Sequence, residues 1–247
     1  MIRLKIILTT GTLILALSTF AKQGFKASIS MGPVYPLHQF ASMNNENLNA
    51  GFAESGFSLN FDGDYYFHNR FAVSGRFHFG MSPINKTETY DWLKQNVGDY
   101  FDEDSLKTTI DYWQWSTPLV GIKLNYPIIM NKFYLEGAIF SGLNISSIPA
   151  QSMIISDSEK KQSIRSENIG KVNYSLPLMA DAGFRLIFNE NIQLKLTASY
   201  FQTKHKHRHV TYIMNNETYQ VEEELKMQNI EVPIKTLNFS LGLIYTL

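Results

Sequence analysis

The stretch Thr236-Leu237-Asn238-Phe239-Ser240-Leu241-Gly242-Leu243-Ile244-Tyr245-Thr246-Leu247 decides the fold. Every second residue from Leu237 to Leu247 is large and apolar. Between them stand Asn238, Ser240, Gly242, Ile244 and Thr246, mostly small or polar. A period of two describes a strand with one greasy face and one mild face. This strand runs to the last residue, where soluble chains usually fray.

Three hairpins upstream share its pattern. Gly56–Phe67 and Phe71–Met81 flank the tripeptide His68-Asn69-Arg70; Ser116–Ile128 and Phe133–Asn144 flank a turn at 128–131; Ser175–Phe188 and Ile192–Phe201 flank Asn189-Glu190-Asn191. Asparagine suits such turns, because it tolerates left-handed backbone and hydrogen-bonds its own chain. With an opening strand from Phe25 to Tyr35 and the closing one, the count is eight. The connections at the other ends, 36–54, 82–115, 146–174 and 203–233, are long and polar. Short turns at one end and long loops at the other are what outer-membrane barrels show; four such loops would be unusual in a compact soluble domain. A short helix is expected within Thr87–Val97, and the strands are expected to extend beyond the membrane into the loops.

In the first hairpin Phe57, Leu59, Phe61, Tyr65 and Phe67 alternate with Ser58, Asn60, Asp62, Asp64 and Tyr66. A three-residue loop at 68–70 pairs Phe67 with Phe71, and so sets Asp62 opposite Arg76 and Asn60 opposite His78. The polar face of the second hairpin carries Lys123, Asn125, Tyr134 and Glu136; that of the third carries Asp181, Arg185, Gln193, Lys195 and Thr197. A loop at Asn189–Asn191 sets Arg185 opposite Lys195. That like-charge pair needs an acid beside it, Asp181 or Glu136, or the register is one pair off. A soluble ligand-carrying barrel would hold its grease inside. Here the charged face must turn inward if the barrel sits in lipid. Eight strands leave an interior that side chains can fill, so Asp62, Asp64, Arg76, Lys123, Glu136, Asp181, Arg185 and Lys195 are expected to form an interior charge network that plugs it.

The first 21 of 247 residues read as a secretory leader: Arg3 and Lys5, an apolar core from Ile6 to Leu17, then the small-residue cleavage pattern Thr19-Phe20-Ala21. Cleavage leaves a single domain, 22–247, with 20 basic and 22 acidic residues. That balance gives no basic surface for nucleic acid. With no cysteine, the exported chain has no disulfides and no lipid anchor on an N-terminal cysteine. Past the leader no apolar run is long enough for a membrane helix.

The strand order, small turns, long loops and amphipathic last strand resemble small OmpA/OmpX-type outer-membrane barrels. The stretch FDGDYYFHNRFAVSGRF, with its asparagine turn, resembles the outer-membrane β-barrel domain family common in Bacteroidetes, including PorT-like proteins. The resemblance spans about Phe25 to Leu247. It implies outer-membrane localisation, contact with outer-membrane lipid and lipopolysaccharide, and assembly by the insertion machinery, which prefers a terminal aromatic; this chain has Leu247, with Tyr245 two before it. It fixes no activity.

Other candidate features are few. His205, His207 and His209 share one strand face, a pattern open to metal binding, set against a basic solvated edge because Lys204, Lys206 and Arg208 lie between them. Asp111-Tyr112-Trp113-Gln114-Trp115 reads as an outer aromatic girdle, with a partner-contact surface as the rival reading. A surface protease or lipid-modifying enzyme would draw on His78, His205 or the acids of Asp99–Asp104, which form no recognisable constellation. No cofactor, catalytic or metal residue is assigned. The expected role is structural or interactive, with a surface or secretion-system partner at the loops; a surface enzyme and a small channel are the alternatives.

Overall fold

A computed structural model describes residues 24–43, 49–85, 106–110, 112–129, 132–147, 151–157, 162–169, 172–189, 191–215 and 226–246. The leader at 1–21, the helix read within Thr87–Val97, Asp99–Asp104 and Leu247 lie outside them. The strands are β1 (Phe25–Pro36), β2 (Gly56–His68), β3 (Phe71–Ser82), β4 (Leu106–Ile110), β5 (Trp113–Ile129), β6 (Phe133–Gly142), β7 (Asn144–Ser147), β8 (Gln151–Asp157), β9 (Gln162–Ile169), β10 (Asn173–Ser175), β11 (Leu178–Ile187), β12 (Ile192–Asn215) and β13 (Lys226–Thr246).

Eight of them close a ring. β1 pairs with β2, β2 with β3, β3 with β5, β5 with β6, β6 with β11, β11 with β12, β12 with β13, and β13 returns to β1, every pair antiparallel. The result is an all-β, up-and-down, eight-stranded barrel. Closure leaves no open sheet edge among these strands. The other five strands extend the wall at the loop end: β7 continues β6 and pairs with the start of β5, β10 leads into β11 and pairs with β7, and β9, β8 and β4 build a sheet on the overhang of β12. The segments 146–174 and 203–233 therefore carry much strand. Both ends of the described chain lie at the tight-turn rim, where Lys26 pairs with both Thr246 and Asp64.

The first turn differs from expectation. It contains two residues, Asn69 and Arg70, and His68 rather than Phe67 faces Phe71. A bulge between Tyr66 and His68 absorbs the extra residue and returns the strand to register. Tyr66 therefore faces Ala72, Asp62 faces Arg76 and Asn60 faces His78. A second bulge, between Pro127 and Ile129, does the same at the next turn. At the third, Asn189 Oδ1 accepts hydrogen bonds from the backbone N–H groups of Asn191 and Ile192 at 3.0 and 2.7 Å. Arg185 faces Lys195 directly.

The outer surface carries the apolar parity of each strand. Ile122, Ile139 and Leu241 are 64, 65 and 55 % exposed, values that a water-soluble core does not show. They sit in a belt with Ile29, Phe61, Phe77, Phe184, Leu196 and Leu243. Aromatic residues rim the belt at both ends: Tyr65, Phe71, Tyr126 and Tyr245 by the tight turns, Tyr35, Phe57 and Tyr174 by the loops.

Candidate functional site

The interior has two storeys, and the lower one is ionic. Asp62, on β2, sits at its centre. It accepts from Arg76 Nε at 2.7 Å, from Ser28 Oγ at 3.0 Å and from the Lys195 ammonium. Arg76 reaches on to Asp181 at 2.7 Å, and its guanidinium lies 4.3 Å from the Phe140 ring centroid. Asp64 binds Lys123 and accepts from Ser74. Arg185 Nε stands 3.2 Å from Glu136 Oε1, between the rings of Tyr134 and Tyr66. Arg185 and Lys195, though side by side, thus have different acids: Glu136 for one and Asp62 for the other. Each of the eight charged residues read from the strand parity points into this layer, and each side chain is less than a tenth exposed. A cation at this depth is costly unless an acid lies against it.

The upper storey is aromatic, which the sequence reading does not anticipate. Here Trp113, Trp115, Phe140, Met179 and Phe201 fill the barrel. Trp115 stacks on Phe201, ring centroids 6.2 Å apart. The aromatic-girdle reading fails for Trp113 and Trp115, which are buried inside; only Tyr112 of that cluster is an exposed aromatic. The reason is parity. Trp113, Trp115 and Thr117 lie in step with the inward Lys123 and Asn125, and Gln114 and Pro118 point out. Gly80 makes room: a Cβ there would stand 2.2 Å from the Trp115 ring.

His78 links the storeys. Trp115 Nε1 donates to His78 Nε2 at 3.0 Å, and His78 Nδ1 is 2.7 Å from Asn60 Oδ1. An N–H must therefore sit on Nδ1, leaving the ring neutral. The contact is structural, with no carboxylate on either nitrogen. Trp115→Phe removes the indole N–H, orphans the buried Nε2 and leaves a void beside it, so it is expected to cost about 2–4 kcal/mol, read by urea unfolding in micelles. An unchanged midpoint would show that the hydrogen bond is not made.

The first long loop turns inward as a lid. A single 3-10 turn, His38–Phe40, drops Phe40 into the mouth, against Trp113 and Trp115 at 5.5 and 6.1 Å. Gly51 accepts from Trp113 Nε1 at 2.8 Å and donates its own N–H to the Gln39 carbonyl at 2.8 Å. The path needs left-handed backbone at two non-glycine residues, His38 (φ 55°) and Phe52 (φ 49°), a conformation that tertiary contacts must hold.

Above Tyr200, β12 leaves the apolar belt and its outward positions become Gln202, Lys204 and Lys206. His205 points inward, buried, with Nδ1 2.8 Å from Ser146 Oγ and its ring 5.6 Å from Trp113. Burial pushes its pKa down to about 4. His207 follows on the same face, half-buried, its ring centroid 5.8 Å from that of His205. The side chain of His209 lies outside the described residues. Lys204 and Lys206 face out and share Glu231 at 2.6 and 3.2 Å. Their hydrogen bonds hold the Glu231 carboxyl below its usual range.

No protein-family model matches the chain, and no curated protein sequence matches it. The likeness to the Bacteroidetes barrel family thus stands on the strand-and-turn pattern alone. Among solved structures the chain is similar to a major outer membrane protein from Thermus thermophilus, with 10 % identity, a TM-score of 0.48, and coverage of 90 % of this chain and 98 % of that one. It is also similar to Neisserial surface protein A, with 10 % identity, a TM-score of 0.42 and coverage of 90 and 97 %. A third is Ail, the attachment invasion locus protein of Yersinia pestis, with 13 % identity, a TM-score of 0.40 and coverage of 89 and 97 %.

Proposed function

We propose that this protein is an integral outer-membrane β-barrel with a structural or surface-interaction role, its interior closed by the charge network and the aromatic storey above it. The observation that carries this reading is the inversion of the barrel: an apolar belt between two aromatic rims outside, paired charges inside. Leu237–Tyr245 matches the roughly 9–11 residues that a tilted strand needs to cross a bilayer. Lipid and lipopolysaccharide would cover the belt, the insertion machinery would assemble it, and a surface or secretion-system partner would meet the loop end. The small-channel alternative needs an open, unpaired interior, which the ion pairs and Phe40 do not favour. The enzyme alternative needs a nucleophile or water beside a base; among the described residues His78 is engaged by Asn60 and Trp115.

Fractionation of cells is expected to recover the chain in the outer membrane, with an unboiled band that migrates differently from the boiled one. Protease added to intact cells is expected to cut within the long connections Ser82–Trp115 or Thr203–Pro233 and spare the turn at 68–70. Recovery in a soluble fraction, or cleavage at 68–70 in intact cells, would overturn the proposal.

A further inference from the structure

We propose that His205 and His207 form a binding site for a divalent transition-metal ion, of the zinc type, at the loop-side mouth of the barrel. The basic run around them argues against a cation only in one dimension. Strand alternation sends Lys204 and Lys206 to the outer face, where both engage Glu231. The two imidazoles take consecutive inward positions on the same strand.

Three features of His205 suit a ligand. It is buried, so its orientation is fixed. Its Nε2 has no hydrogen-bond partner among the described residues, which is costly for a buried polar atom. Its Nδ1 is held by Ser146 Oγ at 2.8 Å. With Nδ1–H donating to that oxygen, the lone pair lies on Nε2, the arrangement by which an outer hydroxyl or carbonyl orients a metal-binding histidine. Trp113, edge-on at 5.6 Å, packs the other side of the ring.

The spacing also fits. A metal–nitrogen bond of about 2.1 Å and a tetrahedral angle put two ligand rings roughly 5 Å apart between centroids. The observed separation is 5.8 Å, so a small ring rotation closes the difference. Imidazole nitrogens favour zinc, copper or nickel over the oxygen-seeking magnesium and calcium. Among the described residues no third His, Cys, Asp or Glu joins the pair, so the remaining coordination positions fall to water or to a group brought by a partner.

The test is calorimetric titration of Zn²⁺ into the full chain refolded in detergent micelles, with Mg²⁺ as the hard-cation control. The wild type is expected to bind one Zn²⁺ and to ignore Mg²⁺. His205→Gln and His207→Gln are expected to abolish binding. Ser146→Ala, which keeps both ligands but frees the ring, is expected to weaken it roughly tenfold. The variant His68→Gln, at an exposed histidine of the tight-turn rim, is expected to bind as the wild type does. Absence of Zn²⁺ binding in the wild type, binding that survives His207→Gln, or equal binding of Mg²⁺ would overturn the proposal. Each variant is first checked for the heat-dependent gel shift; if His205→Gln does not fold, His207→Gln decides alone.

Discussion

Asp62→Ala is expected to destabilise the refolded barrel by about 3–5 kcal/mol, the cost of stranding buried charge. Asp62 neutralises two cations at once, Arg76 at 2.7 Å and Lys195. Its removal leaves Lys195 with the Ser28 hydroxyl as its nearest polar contact, at 3.0 Å. Arg76 keeps Asp181 at 2.7 Å. Arg76→Ala strands Asp181 instead, while Asp62 retains Lys195, so its cost is expected to be smaller. The double variant should cost less than the two single changes together, by about 1–3 kcal/mol. Opposed positions on antiparallel strands are where such coupling is largest. Urea unfolding in micelles measures all three. Strict additivity would mean that the facing side chains do not interact, and the ionic storey would lose its centre.

The second large effect is expected on the outer face. Leu241→Arg places a charge in the middle of the apolar belt, between Met31 and Leu196 on the adjacent strands. At bilayer depth an arginine costs roughly 2–4 kcal/mol, falling to about 0–1 near the interface. Gln202→Arg, outward but above the belt, is the comparison and should be nearly silent. The two variants share charge, size and outward aim, and differ in height along the wall. Equal stability for both would contradict the placement of the belt in lipid.

The register of the ionic storey is legible in the sequence because two signals converge on it. Alternation fixes which residues face in, and the asparagine turn fixes which residues oppose each other. The turn itself is one residue shorter than its sequence suggests, yet Asp62 still faces Arg76. The bulge at Tyr66/His68 takes up the difference before the strand reaches Asp64. Trp113 and Trp115 carry the same parity signal. Their aromatic character suits both a membrane rim and a core, and so obscures it. The Phe40 lid has no local signal: its polar neighbours resemble any surface loop, and the left-handed turns at His38 and Phe52 use residues that do not advertise them. The lid is a tertiary event, driven by the apolar rings waiting in the mouth. The histidine run is readable as a run, but the basic residues within it conceal that the two kinds of side chain part company on a strand.

Contact quenching reads directly whether the apolar belt faces lipid. The chain contains no cysteine, so single cysteines can be placed at Leu241, Ile122 and Ile139, around the ring, and at Lys204, above the belt. Each variant is labelled with a small fluorophore and reconstituted into vesicles whose acyl chains carry bromine, a contact quencher. Strong quenching is expected at the three belt positions and little at Lys204. Belt positions quenched no more than Lys204 would contradict a lipid-facing belt.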